Sequence, residues 1–305
     1  MSIDDAVQAV RRYFKHQPPD QAVKATAAEF LTSVCERGPS IPRRIGTNVY
    51  SRDWELLVVL DTCRTDALQT VADEYEFLPT EIPTTLSVGS KTKEWMENTF
   101  TPQWRDETKQ TAYITFNPNS RQKLDSDWFS RLEEVWRTDW NEELGGVQPR
   151  AVTDRTITAD RESDPERLIA HYKQPHAPYA DFDAIDPTNP MEERTYGVFH
   201  ALENNTVDVD AAWEAYLDEL RRGLDDVAVL LSAVDADRVA ITADHGECFG
   251  DWGIYGHPGG VPVPELIRVP WVVTTAERTA DYDPTDSGRT DDQSVTEKLE
   301  ALGYK

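Results

Sequence analysis

Hydrophobic and polar positions follow two regimes along this chain: short unbroken apolar runs that stop abruptly on polar residues, and longer stretches with apolar side chains three and four apart. The runs read as buried strands. They fall at 55–60 (ELLVVL), 111–116 (TAYITF), 167–172 (RLIAHY), 239–244 (VAITAD) and 269–273 (VPWVV). The longer stretches predict helices: one opening near Thr65, one carrying Trp95, Met96 and Phe100, and an amphipathic one over Trp128–Trp140. The longest is 209–234, with Tyr216, Leu217, Leu220, Leu224, Val227 and Leu231 on one face. Strands alternating with helices predict an α/β class: a central, mostly parallel mixed sheet between helical layers, with chemistry in the loops at the strand carboxyl ends.

One domain accounts for this pattern. Residues 1–45 read as a helical lead-in interrupted by the QPPD turn, 46–275 as the α/β domain, and 276–305 as an acidic, flexible tail ending in a short helix. No apolar run approaches the roughly 20 residues of a membrane span. The amino-terminal segment lacks the apolar core of a signal peptide, and three cysteines are too few for a disulfide framework. A soluble, cytoplasmic protein is expected.

Charge then narrows the partners. The formal net charge is −25, which argues against nucleic acid or an anionic membrane and requires local positive charge wherever an anionic ester binds. The 31 basic residues comprise 9 lysines and 22 arginines. Acid excess with scarce lysine suggests a halophilic, haloarchaeal-type sequence, because concentrated salt screens carboxylate repulsion while hydration keeps the surface soluble.

Candidate chemistry gathers at the strand ends. Asp61 closes one apolar run and Asp244 another. Asp61 alone reads as a helix cap; with Asp244 and His245 the set offers hard oxygens and a borderline nitrogen to a divalent cation such as manganese, zinc or calcium. Glu247 can orient a ligand, and Gly246 lets the chain pass close to the ion. The segment 83–94 (PTTLSVGSKTKE) is rich in hydroxyls just before a helix, where backbone N–H groups favour anions. Two rigid turns, KQPHAPY with His176 and YGHPGG with His257, and the strand histidine His171, aim imidazoles at the same end of the sheet.

These motifs together resemble the sulfatase-like branch of the alkaline phosphatase superfamily: a strand ending in Asp61 followed by TCRTD, the hydroxyl-rich loop, PHAPY, ADHGE and a later GH, with a closing EALGY like that of many sulfatases. The resemblance spans roughly residues 54–305 in order. It implies an alkaline-phosphatase-like fold and metal-dependent attack on a phosphate or sulfate ester of a small molecule, glycan or lipid. It implies Asp61, Asp244 and His245 as metal ligands, Ser87 as nucleophile with Ser90 as the alternative, and Lys91, Arg64 and His171 as substrate-binding groups. His176 and His257 match histidines that bind the oxyanion or protonate the leaving group.

Departures bear on the chemistry. SVGSK stands where sulfatases carry CxPSR, so a cysteine is replaced by Ser87, and Thr62 stands where a second acid completes the usual calcium site. A plain serine favours phosphate. Two alternatives remain: a sulfatase that converts Ser87 to formylglycine, and a non-catalytic, metal-binding or regulatory member of the fold. Asp181 and Asp183 are possible donors to a second metal. The oligomeric state is not encoded in any motif.

Overall fold

The strand run that ends in Asp61 lies at the middle of the sheet, so both of its faces must be covered. In a computed structural model of the protein, residues 45–141, 146–180, 182 and 191–285 are described, with isolated positions 23, 26 and 27 ahead of them. The lead-in helices, the final helix, Asp181 and Asp183 lie outside the described residues.

Seven strands form the central sheet: β1 (Leu56–Leu60), β2 (Thr84–Leu86), β3 (Thr111–Thr115), β4 (Arg131–Glu134), β5 (Arg167–Tyr172), β6 (Ala236–Thr242) and β7 (Arg268–Ala276). Their order is β2-β7-β6-β1-β5-β3-β4. Strands β6, β1, β5, β3 and β4 pair in parallel, and β7 runs antiparallel to both β6 and β2. Helices α1 (Thr65–Val71), α2 (Thr92–Thr99), α3 (Pro149–Ser163), α4 (Met191–Glu203) and α5 (Val209–Ala233) are the longer ones. The mostly parallel mixed sheet between helical layers expected from the sequence is the architecture observed.

All five residues of β1 are buried, which is why the run is continuous and not alternating. Leu56, Val58 and Leu60 enter a core shared with α1, α3 and α5; Leu57 and Val59 face the opposite core of Tyr50, Trp54, Trp95, Met96 and Phe100. Burying each such side chain contributes about 1.5–3 kcal/mol relative to leaving it exposed. Helix α5 is capped by Asp208, whose carboxylate accepts from the backbone N–H groups of Asp210 and Ala211. None of the described helices is long and apolar enough to cross a membrane.

The helix expected over Trp128–Trp140 is not there. Residues 126–128 form a 3₁₀ turn, 131–134 form edge strand β4, and 135–137 form a second 3₁₀ turn. Phe129 and Leu132 pack on one side of the sheet and Val135 and Trp136 on the other. An apolar spacing of three and four thus arises from a chain crossing the sheet edge, not from one helical face. At the start of the expected tail, β7 runs to Ala276 and Tyr282 docks on α3 by donating its hydroxyl to Asp154 Oδ1 at 2.6 Å; residues 286–305 lie outside the described residues.

Candidate active site

Register brings the two acids together. Val59 of β1 pairs with Thr242 of β6, so Asp61 and Asp244, each two residues further on, leave the sheet side by side. On its other edge Val59 pairs with His171 of β5, at the same level. All three side chains, and His245, are completely buried.

Each carboxylate has one oxygen fixed and one left over. Asp61 Oδ2 accepts from the Thr92 hydroxyl at 3.2 Å and from the Asn117 amide at 3.1 Å. Asp244 Oδ1 accepts from the backbone N–H groups of Thr62 at 3.2 Å and His245 at 2.9 Å. Asp61 Oδ1, Asp244 Oδ2 and His171 Nε2 are buried without any hydrogen-bond partner. One ligand atom from each of these three residues lies within 4.8 Å of the others. Unpaired buried polar atoms each cost about 1–3 kcal/mol, and three converging on one point fit a divalent cation.

His245 completes that point. Its Nδ1 faces the Gly246 carbonyl at 2.8 Å, which takes the ring proton and leaves Nε2 to coordinate. That Nε2 lies 3.4 Å from Asp244 Oδ2 and 3.6 Å from Asp61 Oδ1. Gly246 is required by close approach: a Cβ there would sit 2.0 Å from the Glu265 carbonyl oxygen. Burial, followed by the Asp244 charge, pushes Asp61 well above the usual carboxylate range, and burial raises Asp244 and Glu247 too. Such a pair is stable as two anions only with a cation between them.

The backbone behind Asp61 is held in an uncommon conformation. Thr62 has φ 66°, left-handed for a β-branched residue. That turn aims its N–H at Asp244, while its carbonyl accepts the Tyr216 hydroxyl at 2.7 Å.

The hydroxyl facing the carboxylates is that of Thr92. It opens α2, is buried, and lies 3.2 Å from Asp61 Oδ2 and 3.3 Å from His245 Nε2. The two serines singled out in the sequence are engaged elsewhere. Ser87 donates to the backbone carbonyl of Asp244. Ser90 donates to Glu94 at 3.0 Å and to the Pro258 carbonyl at 3.1 Å, and so fastens its loop to the turn after His257. Thr92 was not legible because a threonine opening a helix reads as an ordinary cap, and Asn117 because NPN reads as an ordinary turn; the strand ending just before Asn117 was the one available signal.

The remaining residues divide by what they touch. Arg64 lies in a frame of carboxylates, paired with Asp66 at 2.6 Å and Asp251 at 2.7 Å, so it braces the loop and is not a free anion receptor. Lys91 precedes Thr92, and its ammonium reaches Gly259, where a Cβ would come within 2.4 Å of it. Its charge acts on both His245 and His257. The rings of His176, His257 and His245 form a file, with centroids 5.1 Å and then 4.6 Å apart. Glu247 binds His257 Nδ1 at 2.9 Å. Burial opposes a proton on His257, but the charge and hydrogen bond of Glu247, with Asp244, outweigh it and raise its pKa. His176 is instead pushed well below the usual value by burial and by His257.

No family model matches the chain, and no curated protein matches it. Solved structures are similar in fold. The C-terminal periplasmic domain of phosphoethanolamine transferase EptC from Campylobacter jejuni is 15% identical at TM-score 0.48, over 72% of this chain and 78% of that one. A putative sulfatase from Bacteroides thetaiotaomicron is 10% identical at TM-score 0.46, over 82% and 70% of the two chains. The lipoteichoic acid synthase LtaP from Listeria monocytogenes is 10% identical at TM-score 0.43, over 84% and 72%. The proteins the chain is similar to are thus phosphoethanolamine transferases, sulfatases and a lipoteichoic acid synthase.

Proposed function

We propose that the protein is a sulfatase-like metalloenzyme that cleaves or transfers phosphate esters through a covalent Thr92 intermediate. The observation that carries this reading is the convergence of three unpartnered buried atoms, Asp61 Oδ1, Asp244 Oδ2 and His171 Nε2, beside the Thr92 hydroxyl. Asp61, Asp244 and His245 are the residues that would hold a divalent ion. Once bound, the ion would neutralise the paired carboxylates, lower the pKa of the neighbouring hydroxyl and polarise the ester.

The side chains then account for the proton movements. Thr92 Oγ1 attacks phosphorus while its proton passes to Asp61 Oδ2, 3.2 Å away. The bond from phosphorus to the leaving oxygen breaks, and His257 gives that oxygen its proton. Glu247 orients the ring and raises its pKa for this role. Water or an acceptor alcohol next loses a proton to the now neutral His257 and attacks phosphorus, and Thr92 recovers its proton from Asp61. Lys91 supplies local positive charge in a strongly acidic protein.

Phosphate is favoured over sulfate because the nucleophile is a plain hydroxyl. A glycan or lipid ester is the substrate class implied by the family resemblance. The test is hydrolysis of p-nitrophenyl phosphate, its bis-ester and p-nitrophenyl sulfate with manganese or zinc in concentrated KCl. Turnover of the phosphates, with a phosphorylated peptide containing Thr92 after rapid quenching, is expected. A trapped peptide modified at Ser87 or Ser90 would overturn the Thr92 assignment; inert protein across a wider ester panel would overturn the enzymatic one.

A further inference from the structure

Of the three converging atoms, His171 Nε2 is not explained by the ligand set above. Its ring is held on every side. Nδ1 meets the Tyr113 hydroxyl at 2.8 Å, and the ring packs edge-on against Trp95 and Phe116, each at 5.5 Å, and stacks on Tyr113 at 6.1 Å. No rotation can take Nε2 to another partner without dismantling the aromatic core around it. Asp244 Oδ2 faces it at 3.8 Å, too far for a hydrogen bond. Two fully buried polar atoms left facing each other across that gap match two ligands on either side of an ion better than a failed contact.

We propose that His171 is a direct ligand of the bound ion, oriented by the Tyr113 hydroxyl, so that two imidazoles and two carboxylates surround it. This rests on the metal-centred reading above and specifies its chemistry. Tyr113 plays the part of the hydrogen-bonded partner that most metal-bound histidines have, fixing which ring nitrogen faces the ion. A second imidazole shifts the site away from calcium and towards zinc, since borderline nitrogen donors favour zinc over a cation that takes oxygen ligands.

Zinc affinity by competition against a chromophoric chelator, and the visible absorption of the cobalt-substituted protein, test this in the full chain without measuring turnover. Three variants are compared: His171→Asn, Tyr113→Phe and Asp244→Asn. His171→Asn is expected to weaken zinc binding at least tenfold and to alter the cobalt bands; Tyr113→Phe, which keeps every ring in place, is expected to weaken zinc about tenfold. Should His171→Asn not fold, Tyr113→Phe decides. Unchanged zinc affinity and cobalt bands in the folded variants overturn the inference. Zinc lost in Asp244→Asn but untouched by both other variants overturns this inference alone; zinc retained in Asp244→Asn overturns the proposed function with it.

Discussion

The two ends of the central sheet carry similar residues and opposite physics. At the amino-terminal ends of the strands lies a cavity of about 900 Å³, lined by residues that include Asp53, Glu55, Asp160, Arg167, Asp235 and Arg238. Its carboxylates find partners: Glu55 receives Arg238 at 2.6 Å and the backbone N–H groups of Asp237 and Arg238 at 2.8 and 3.1 Å, and Asp160 meets Arg278 at 3.2 Å. At the carboxyl-terminal ends Asp61, Asp244 and His171 are wholly buried and leave an atom each unpaired. What sets the carboxyl-terminal end apart is buried polar atoms left without partners. Acids at the roomy end keep cationic partners, Glu55 with Arg238 and Asp160 with Arg278, whereas Asp61 and Asp244 are brought together by the register of β1 and β6.

The largest break in this comparison comes from removing the reacting groups. Thr92→Ala is expected to lower kcat by on the order of 10⁴-fold with the fold intact, as nucleophile removal does, measured on the phosphate ester found active. Ser90→Ala should instead loosen the loop and lower thermal stability by about 1 kcal/mol, the worth of its hydrogen bonds, with a much smaller kinetic effect. Equal kinetic losses in the two variants would remove the distinction drawn between them.

Next in size is the pH response. The pKa of His257 is raised because Glu247, with Asp244, outweighs burial. Acting as an acid, it supports turnover below its raised pKa and fails as pH climbs through it. In Glu247→Gln burial prevails, so the basic limb of kcat/KM moves to lower pH and activity at neutral pH falls. A basic limb that stays in place would assign the proton to another group. Asn117→Ala, which removes one of the two donors to Asp61 Oδ2, is expected to cost about tenfold in metal affinity, read by chelator competition.

How much of this was legible in the sequence follows from the same physics. β1, β5 and β6 are buried on both faces, so they appear as unbroken apolar runs, and their terminal Asp61 and Asp244 stand out. Thr92 and Asn117 could not be recognised because each is an unremarkable residue for its local element; only the packing of α2 on β1 and the placement of β3 beside β5 turn them towards Asp61. The stretch 128–140 misled for a different cause, since its apolar residues serve two cores on opposite faces of the sheet. Periodicity records which side chains are buried and is silent on which layer buries them.

The smallest expected effect belongs to the other end of the sheet. Asp160, on the wall of the large cavity, has its pKa raised by burial, with the Arg278 charge opposing, and it meets that guanidinium at 3.2 Å. A carboxyl whose folded pKa lies above its unfolded one binds its proton more tightly in the native state. Its contribution to stability is therefore greatest at low pH and is lost as pH rises from the ordinary aspartate range through the raised value. Asp160→Asn keeps an acceptor for Arg278 and removes that titration. Urea unfolding across the acid range should then show a flatter dependence than the parent chain, a stability at neutral pH no lower than the parent's, and turnover within about twofold, as for surface changes remote from a site. Turnover reduced by the same substitution as strongly as by Asn117→Ala would mean that the two ends of the sheet are coupled, and that the roomy cavity takes part in the reaction after all.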